Sequence, residues 1–390
     1  MESKKQLRRF QVLFFIRYLG DSFFFSFLQL FLAYKGLKEA DIGFINSLRP
    51  MLVLFMNPFF SFISKDVNQN RKIMRIITII EGILIAFITK FDGFVILTIF
   101  VSLISMLDSP FYSLLDGFSV SFTHSNNYKY SSLRILGSLA YVFGNILGGL
   151  TIDYFGYEIT FIISSSFMIF TGIMVFFIKE LKLEKKEELE ESKKESYLEI
   201  LKNYRFYIYL LLYIGLVTVS GIGDNFISLY FLENGLGEKE YGFIASIMIV
   251  VEVITMFIYG KVHNKISDET LLFIAGIAYS LRSIFIGLNL PLYVTIPASF
   301  LRGVGWGIIL SIHVNYLRNI VGTKNITNAI FILVLISSIV QMIGLNISGN
   351  LLEKVGYSPV YLVLSLITFI ATFIIFILKQ INKNNKIINK

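Results

Sequence analysis

Apolar side chains run along this sequence in long blocks, separated by short polar stretches that hold nearly all of the charge. Twelve blocks approach the roughly 20 residues that a helix needs to cross the hydrocarbon of a bilayer: 10–34, 42–64, 73–91, 93–116, 131–153, 157–178, 206–230, 240–260, 270–289, 291–316, 327–350 and 356–378. One long hydrophilic segment, Lys179 to Arg205, divides the series after the sixth block. It carries eight Lys/Arg and eight Glu in mixed order, and reads as a solvated linker made partly helical by Glu–Lys pairs. The pattern predicts an all-α membrane protein with 12 transmembrane helices in two six-helix halves, residues 1–178 and 206–390, joined by a cytoplasmic linker over 179–205. The first block follows a basic start, Met1 to Arg9, and is too long for a signal-peptide core, with no small-residue cleavage site behind it. It is expected to be a retained membrane helix.

Composition narrows the classes. Apolar residues make up 55% of the 390 and charged residues only 16%, and the mean hydropathy is +0.69. One soluble core could not absorb this much apolar surface with so few charges to cover it. Soluble enzymes, nucleic-acid binders and disordered scaffolds are excluded, despite a net charge of +8. Cysteine is absent, which removes disulfides, thiolate metal sites and cysteine nucleophiles together. The termini, the central segment and every second loop hold 26 Lys/Arg, against 5 in the loops between them. That bias predicts a multi-pass protein of the cytoplasmic membrane with both termini and the central segment in the cytoplasm. The basic balance is a topology signal and needs no nucleic-acid partner.

An internal repeat adds a functional clue. Residues 36–45 read GLKEADIGFI and residues 235–244 read GLGEKEYGFI, six of ten identical at an offset of 199. A second pair, GLTIDYFGY at 149–157 and GNLLEKVGY at 349–357, is offset by 200. The chain reads as a duplicated six-helix unit with parallel repeats. Such architectures place a solute site near the midplane and alternate access by rocking one half against the other.

The residues that carry a resemblance lie mainly between 114 and 149. The loop SKDVNQNRK, with Asp66, Arg71 and Lys72, looks like a degraded cytoplasmic gate motif of the major facilitator superfamily, its glycines missing. More specific is LLDGFSVSFTHSNNYKYSSLRILGSLAYVFGNILGG, with Asp116, Tyr130, Arg134, Gly137 and Ser138. It resembles the subgroup that includes lactose-permease-like oligosaccharide/proton symporters, nucleoside/proton symporters and phenylpropionate permeases. Glu252 and Arg282 fall where sugar permeases of this type keep an acid and an arginine. The resemblance implies proton-coupled uptake of a small hydrophilic solute by a monomer in contact with membrane lipids. It fails early in span 10, where a histidine followed by an acid is expected and Arg302, Gly303, Val304 and Gly305 stand instead. Proton coupling through that pair does not carry over, and coupling, if the protein has it, must use other carboxylates.

Every ionisable group inside a span is costly, by roughly 2.5–3.5 kcal/mol on insertion scales, and should face a cavity or a partner. Asp116 and Arg134, 18 residues apart across a short loop, are candidates for gripping vicinal hydroxyls, or for a cytoplasmic gate ion pair. Glu252 and Arg282 are candidates for solute binding or for pairing with each other, and Trp306 for stacking on a sugar or aromatic ring or else for packing. Asp21 and Asp224, mid-span in helices 1 and 7, are candidates for proton coupling or solute binding, or else for ion pairs with Arg17, Arg49, Arg282 or Arg302. Asp108, next to Ser109 and Pro110, joins the proton-coupling candidates, with satisfaction of freed backbone groups as its alternative. Glu81 reads as structural, and Asp66 and Arg71 as gating. No metal-ligand spacing links the three histidines, and no cofactor motif occurs. The chain lacks GxxxxGK[ST], HExxH and GxSxG, which argues against an ATP-driven pump or an intramembrane enzyme. A secondary transporter is the leading expectation, with efflux of lipophilic compounds and a non-transporting sensor as rivals.

Overall fold

The computed structural model describes residues 2–63, 67–179, 197–263 and 265–388. Within the described residues, each predicted apolar block lies mainly on helix. We label the helices α1 (Glu2–Phe25 continued by Leu28–Tyr34), α2 (Glu39–Ile63), α3 (Val67–Ile88), α4 (Phe94–Ser125), α5 (131–155) and α6 (157–177). In the second half α7 is segmented: Tyr204–Tyr213, a π-helical turn Ile214–Thr218, Val219–Asp224 and Ile227–Glu233. It is followed by α8 (Glu238–Val262), α9 (Asp268–Gly287), α10 (Leu292–Ser299 continued by Leu301–Val321), α11 (Ile326–Val355) and α12 (Tyr357–Ile388). Helix is the form this composition demands, because only helices satisfy backbone groups inside an apolar span without a partner strand.

Among the described residues nine segments are long and apolar enough to cross a membrane. The difference from twelve has a local cause. One of the nine is a 47-residue run, Ser131–Phe177, that covers two predicted spans and breaks at Gly156, with φ 77° and ψ 176°. α2 and α3 are the other two predicted spans, 25 and 22 residues long, with prolines inside the first and Arg71, Lys72 and Arg75 just after the first turn of the second.

The chain forms two compact units, Met1–Glu188 with Ser228–Ser246, and Leu189–Ile227 with Ile247–Lys390. The division expected near residue 206 is therefore displaced for one segment: the end of α7 and the start of α8 belong to the first unit. Tyr157 donates to Glu238 at 2.7 Å, and Ser246 to the Val142 carbonyl at 2.8 Å. Most of the predicted 179–205 linker lies outside the described residues; a short helix, Tyr197–Lys202, precedes α7.

The repeat is present in the backbone. Gly36 and Gly235 both adopt positive φ, 82° and 86°, and terminate the preceding helices with the same hydrogen bonds. Leu37 N–H bonds to the Leu32 carbonyl and Leu236 N–H to Phe231, both at a 199-residue offset. The first turns of α2 and α8 are closed alike, by Asp41 accepting from Lys38 N–H and Glu240 from Gly237 N–H. Gly156 and Gly356 share φ of 77°. Side chains other than glycine resist that region, so the motif's glycines are conformational requirements. Helix pairing repeats as well: α3 packs on α4 and α6, as α9 packs on α10 and α12.

Phenylalanine serves both surfaces. Phe10 stacks on Phe122 in the first unit's core, whereas Phe55, Phe62, Phe176 and Phe257 project outward, as side chains facing lipid do.

Candidate functional site

In the second unit, four charges from four helices meet beside a cavity of about 370 Å³. Asp224 sits at the end of the α7 segment below the π turn, a distortion frequent at functional sites. One of its oxygens pairs with Arg282 of α9, and the other accepts from Arg302 Nε of α10 at 3.1 Å. Arg302 Nη1 also reaches Glu252 of α8 at 3.3 Å. Arg282 is 2% exposed, while Asp224 and Arg302 are 26% and 27% exposed. Arg282 is thus a buried counterion that fixes Asp224, and Glu252 holds Arg302 from the other side. The cavity is lined by Asp224, Asn225, Arg302, Gln341, Trp306 and Tyr279, with hydroxyls of Thr218, Ser220, Ser337 and Ser338 around them.

The glycines about Trp306 explain how α10 reaches this position. A Cβ at Gly307 would stand 2.7 Å from the Glu252 carbonyl oxygen, and one at Gly305 would stand 2.7 Å from the Tyr279 ring. Bare glycine lets α10 approach α8 and α9 closely, which brings Arg302 within reach of Glu252 and Asp224.

The first unit holds a second network, centred on Arg17 of α1. Its guanidinium grips Glu81 of α3 with both terminal nitrogens, at 2.6 and 3.0 Å. It also bonds Asp108 of α4 at 2.8 Å and Thr78 at 3.0 Å, and lies 3.2 Å from Asp21, one turn along its own helix. Phe111 caps it, 4.3 Å from ring centroid to guanidinium carbon. Arg17, Asp21 and Glu81 are fully buried, and the Asp108 side chain is 15% exposed. One carboxylate oxygen from each acid lies within 4.8 Å of the others, a spacing that would suit a metal ion. Arg17 stands at the focus of these oxygens, so the resident cation is a guanidinium and a metal does not fit beside it.

Asp116 and Arg134, expected to meet, have different partners. Asp116 accepts the Tyr130 hydroxyl at 2.5 Å, and Arg134 reaches the Tyr18 hydroxyl and lies over its ring. A Cβ at Gly137 would stand 3.1 Å from the Tyr18 ring, a tight contact that favours glycine at this position of the sequence motif. Arg71 donates to the Ile178 carbonyl at 2.5 Å and lines a small cavity with Lys72 and Arg75, while Asp66 lies outside the described residues.

Sequence reasoning took Glu81 as structural and named Arg17 and Arg302 only as possible counterions; the structure places Glu81 against Arg17, and Arg302 between Asp224 and Glu252. Mid-span position marked all three, and the i, i+4 spacing of Arg17 and Asp21 was a further available signal. Asn225 and Gln341 carried none, since neutral amides inside spans are common and only the cavity distinguishes these two.

Comparison with known proteins agrees with this architecture. The model of the MFS_1 like family matches residues 7–363. The chain is 20% identical to the uncharacterized transporter YwbF of Bacillus subtilis (strain 168) over 307 residues, 78% of this chain and 75% of that one. It is 23% identical to the lactose permease of Klebsiella oxytoca over 391 residues, covering 90% of this chain and 89% of the permease. The crystal structure of the nucleoside transporter NupG superposes with a TM-score of 0.80 at 14% identity, over 96% of this chain and 98% of NupG.

Proposed function

The chain belongs to the MFS_1-like family of membrane transporters, and on that premise we propose that it takes up a small hydrophilic solute of the sugar or nucleoside class together with protons. The observation that carries the reading is the wall of the cavity in the second unit. Acid, arginine and amide groups of Asp224, Arg302, Asn225 and Gln341 stand there beside the rings of Trp306 and Tyr279. Vicinal hydroxyls bond well to a carboxylate and a guanidinium held in fixed relation, because one accepts and the other donates. A sugar or nucleoside ring face supplies the apolar surface that an indole covers. A lipophilic efflux substrate would expel water from the cavity face of these groups and return no hydrogen bond, at a cost of about 1–3 kcal/mol for any group left without a partner.

The names of the relatives, lactose permease, sucrose permease and nucleoside transporter, support the same solute class. Asp224, Arg302 and Trp306 contact the solute, while Arg282 and Glu252 hold Asp224 and Arg302 in place. Asp116 with Tyr130, and Arg134 with Tyr18, form a further set of donors and acceptors in the first unit. The transporter works as a monomer by alternating access in the cytoplasmic membrane, with both termini in the cytoplasm, as the loop charges favour.

Proteoliposomes offered radiolabelled sugars, nucleosides and aromatic acids, with and without an inward proton gradient, test this reading. Gradient-stimulated accumulation of one polar class, lost in Asp224→Asn, is the expected result. Expulsion of a lipophilic dye with no accumulation of any polar solute would overturn it.

A further inference from the structure

The two networks occupy helices of the same rank in the repeat, with their signs largely exchanged. Helices α2, α3 and α4 present Arg49, Glu81 and Asp108, whereas α8, α9 and α10 present Glu252, Arg282 and Arg302. Helices α1 and α7 each present an aspartate, Asp21 and Asp224, and α1 adds Arg17. The second network balances, with two acids against two arginines. The first does not. Asp21, Glu81 and Asp108 face Arg17 and the more distant Arg49, which stacks on Phe25. Fully ionised, it would hold one uncompensated negative charge in the interior of a membrane protein, where such a charge is costly.

The poorest-served acid is Asp21. It is completely buried, and neither carboxylate oxygen has a hydrogen-bond partner although Arg17 lies 3.2 Å away. The charged or titratable groups acting on it are Arg17 on α1, Arg49 on α2, Glu81 on α3, Asp108 on α4 and Tyr141 on α5. From α6 the neighbours of this stretch of α1 are Phe167 and Met168, which carry no charge. No further cation balances the set among these groups. A bound metal ion is not the answer either, since Arg17 stands where the three carboxylates converge.

We infer that the Arg17 cluster is the protonation site of the transport cycle: Asp21 and Asp108 share one proton per turnover, while the Asp224 network stays ionised and serves the solute. The assignment rests on the proton-coupled reading above and names its residues and stoichiometry. The proton adds to a carboxylate oxygen of Asp21 and removes the excess charge. Asp108, the only partly exposed acid of the three, is its route to and from water. The excess is a single charge, so a single proton restores neutrality and a second would leave the cluster net positive.

Infrared difference spectroscopy of the full-length protein in nanodiscs reads this without any solute. A carbonyl band of one protonated carboxyl, shifted in D₂O, is expected at neutral pH. It disappears in Asp21→Asn or Asp108→Asn and persists in Asp224→Asn, with each variant first shown to be folded by its gel-filtration profile and helical circular dichroism. Absence of the band in the wild type, or its loss only with Asp224 or Glu252, overturns the assignment. In proteoliposomes Asp21→Asn is expected to lose gradient-driven accumulation by at least tenfold while keeping solute counterflow. Accumulation at the wild-type level in both Asp21→Asn and Asp108→Asn would also overturn it. A band that behaves as expected in a protein moving no polar solute would leave the protonation site standing and bring down the proposed substrate class alone.

Discussion

Arg17 and Asp224 are the hubs of two clusters built on helices of equal rank, yet they face opposite surroundings. Arg17 is a cation sealed among three acids and aromatic rings. Asp224 is an acid held by two arginines at the edge of a cavity. Duplication preserved the backbone to the level of single turn hydrogen bonds, as Leu37 and Leu236 show. The charges were not preserved. A repeated scaffold fixes where side chains from four helices converge, whereas the identity of those side chains decides whether the convergence is a sealed charge store or an open polar site.

The largest effect that would test the contrast is expected at Arg17. Arg17→Met leaves three buried acids without their shared counterion, and breaking a buried pair costs about 3–5 kcal/mol. The thermal midpoint in detergent should collapse, and adding Asp21→Asn with Glu81→Gln should recover part of it. Arg302→Met, at a site that water reaches, should cost far less. Equal losses at the two positions would erase the distinction between sealed and open clusters.

Asp224→Asn comes next. It strands Arg282, which is only 2% exposed, and removes an acceptor from the cavity. Uptake should fall about 100-fold, the factor that roughly 3 kcal/mol of lost binding represents. The double variant Asp224→Asn/Arg282→Gln should regain thermal stability without regaining uptake. Recovery of both would assign Asp224 to the fold alone.

Gly307→Val sharpens the question of how the open cluster is positioned. Its side chain would meet the Glu252 carbonyl, and overpacking of this kind costs about 1–3 kcal/mol. Uptake should suffer more than stability, because Arg302 shares the displaced helix. Gly260→Ala, on α8 with nothing near its added methyl, is the matched control and should change neither.

The smallest effect is at Trp306. Losing a stacked ring costs about 0.5–1.5 kcal/mol, so Trp306→Ala should weaken apparent affinity about 2- to 12-fold, with Trp306→Phe recovering most of it. Affinity unchanged in both variants would make the indole a packing residue.

The order of the helices was legible in the chain because it depends on local quantities. Span length, loop charge and turn glycines each act over a few residues, so GLKEADIGFI and GLGEKEYGFI announce the same turn wherever the rest of the protein lies. The grouping of the charges was not legible. Arg17, Glu81 and Asp108 are separated by up to 91 residues, and a rotation of about 100°, one residue's worth, in any of α1, α3 or α4 would point a charge elsewhere. The Asp116–Arg134 spacing permitted a contact, but the rotation of α4 and α5 gives Asp116 to Tyr130 and Arg134 to Tyr18. Sequence alone determined that this is a duplicated helical membrane protein with acids and arginines buried in its spans, because the bilayer penalises every polar group by depth whatever its neighbours. Only the tertiary structure decided which acids share which arginines, and so which half carries the uncompensated charge. That depends on side chains meeting across helices at distances of about 3 Å, which no one-dimensional pattern encodes.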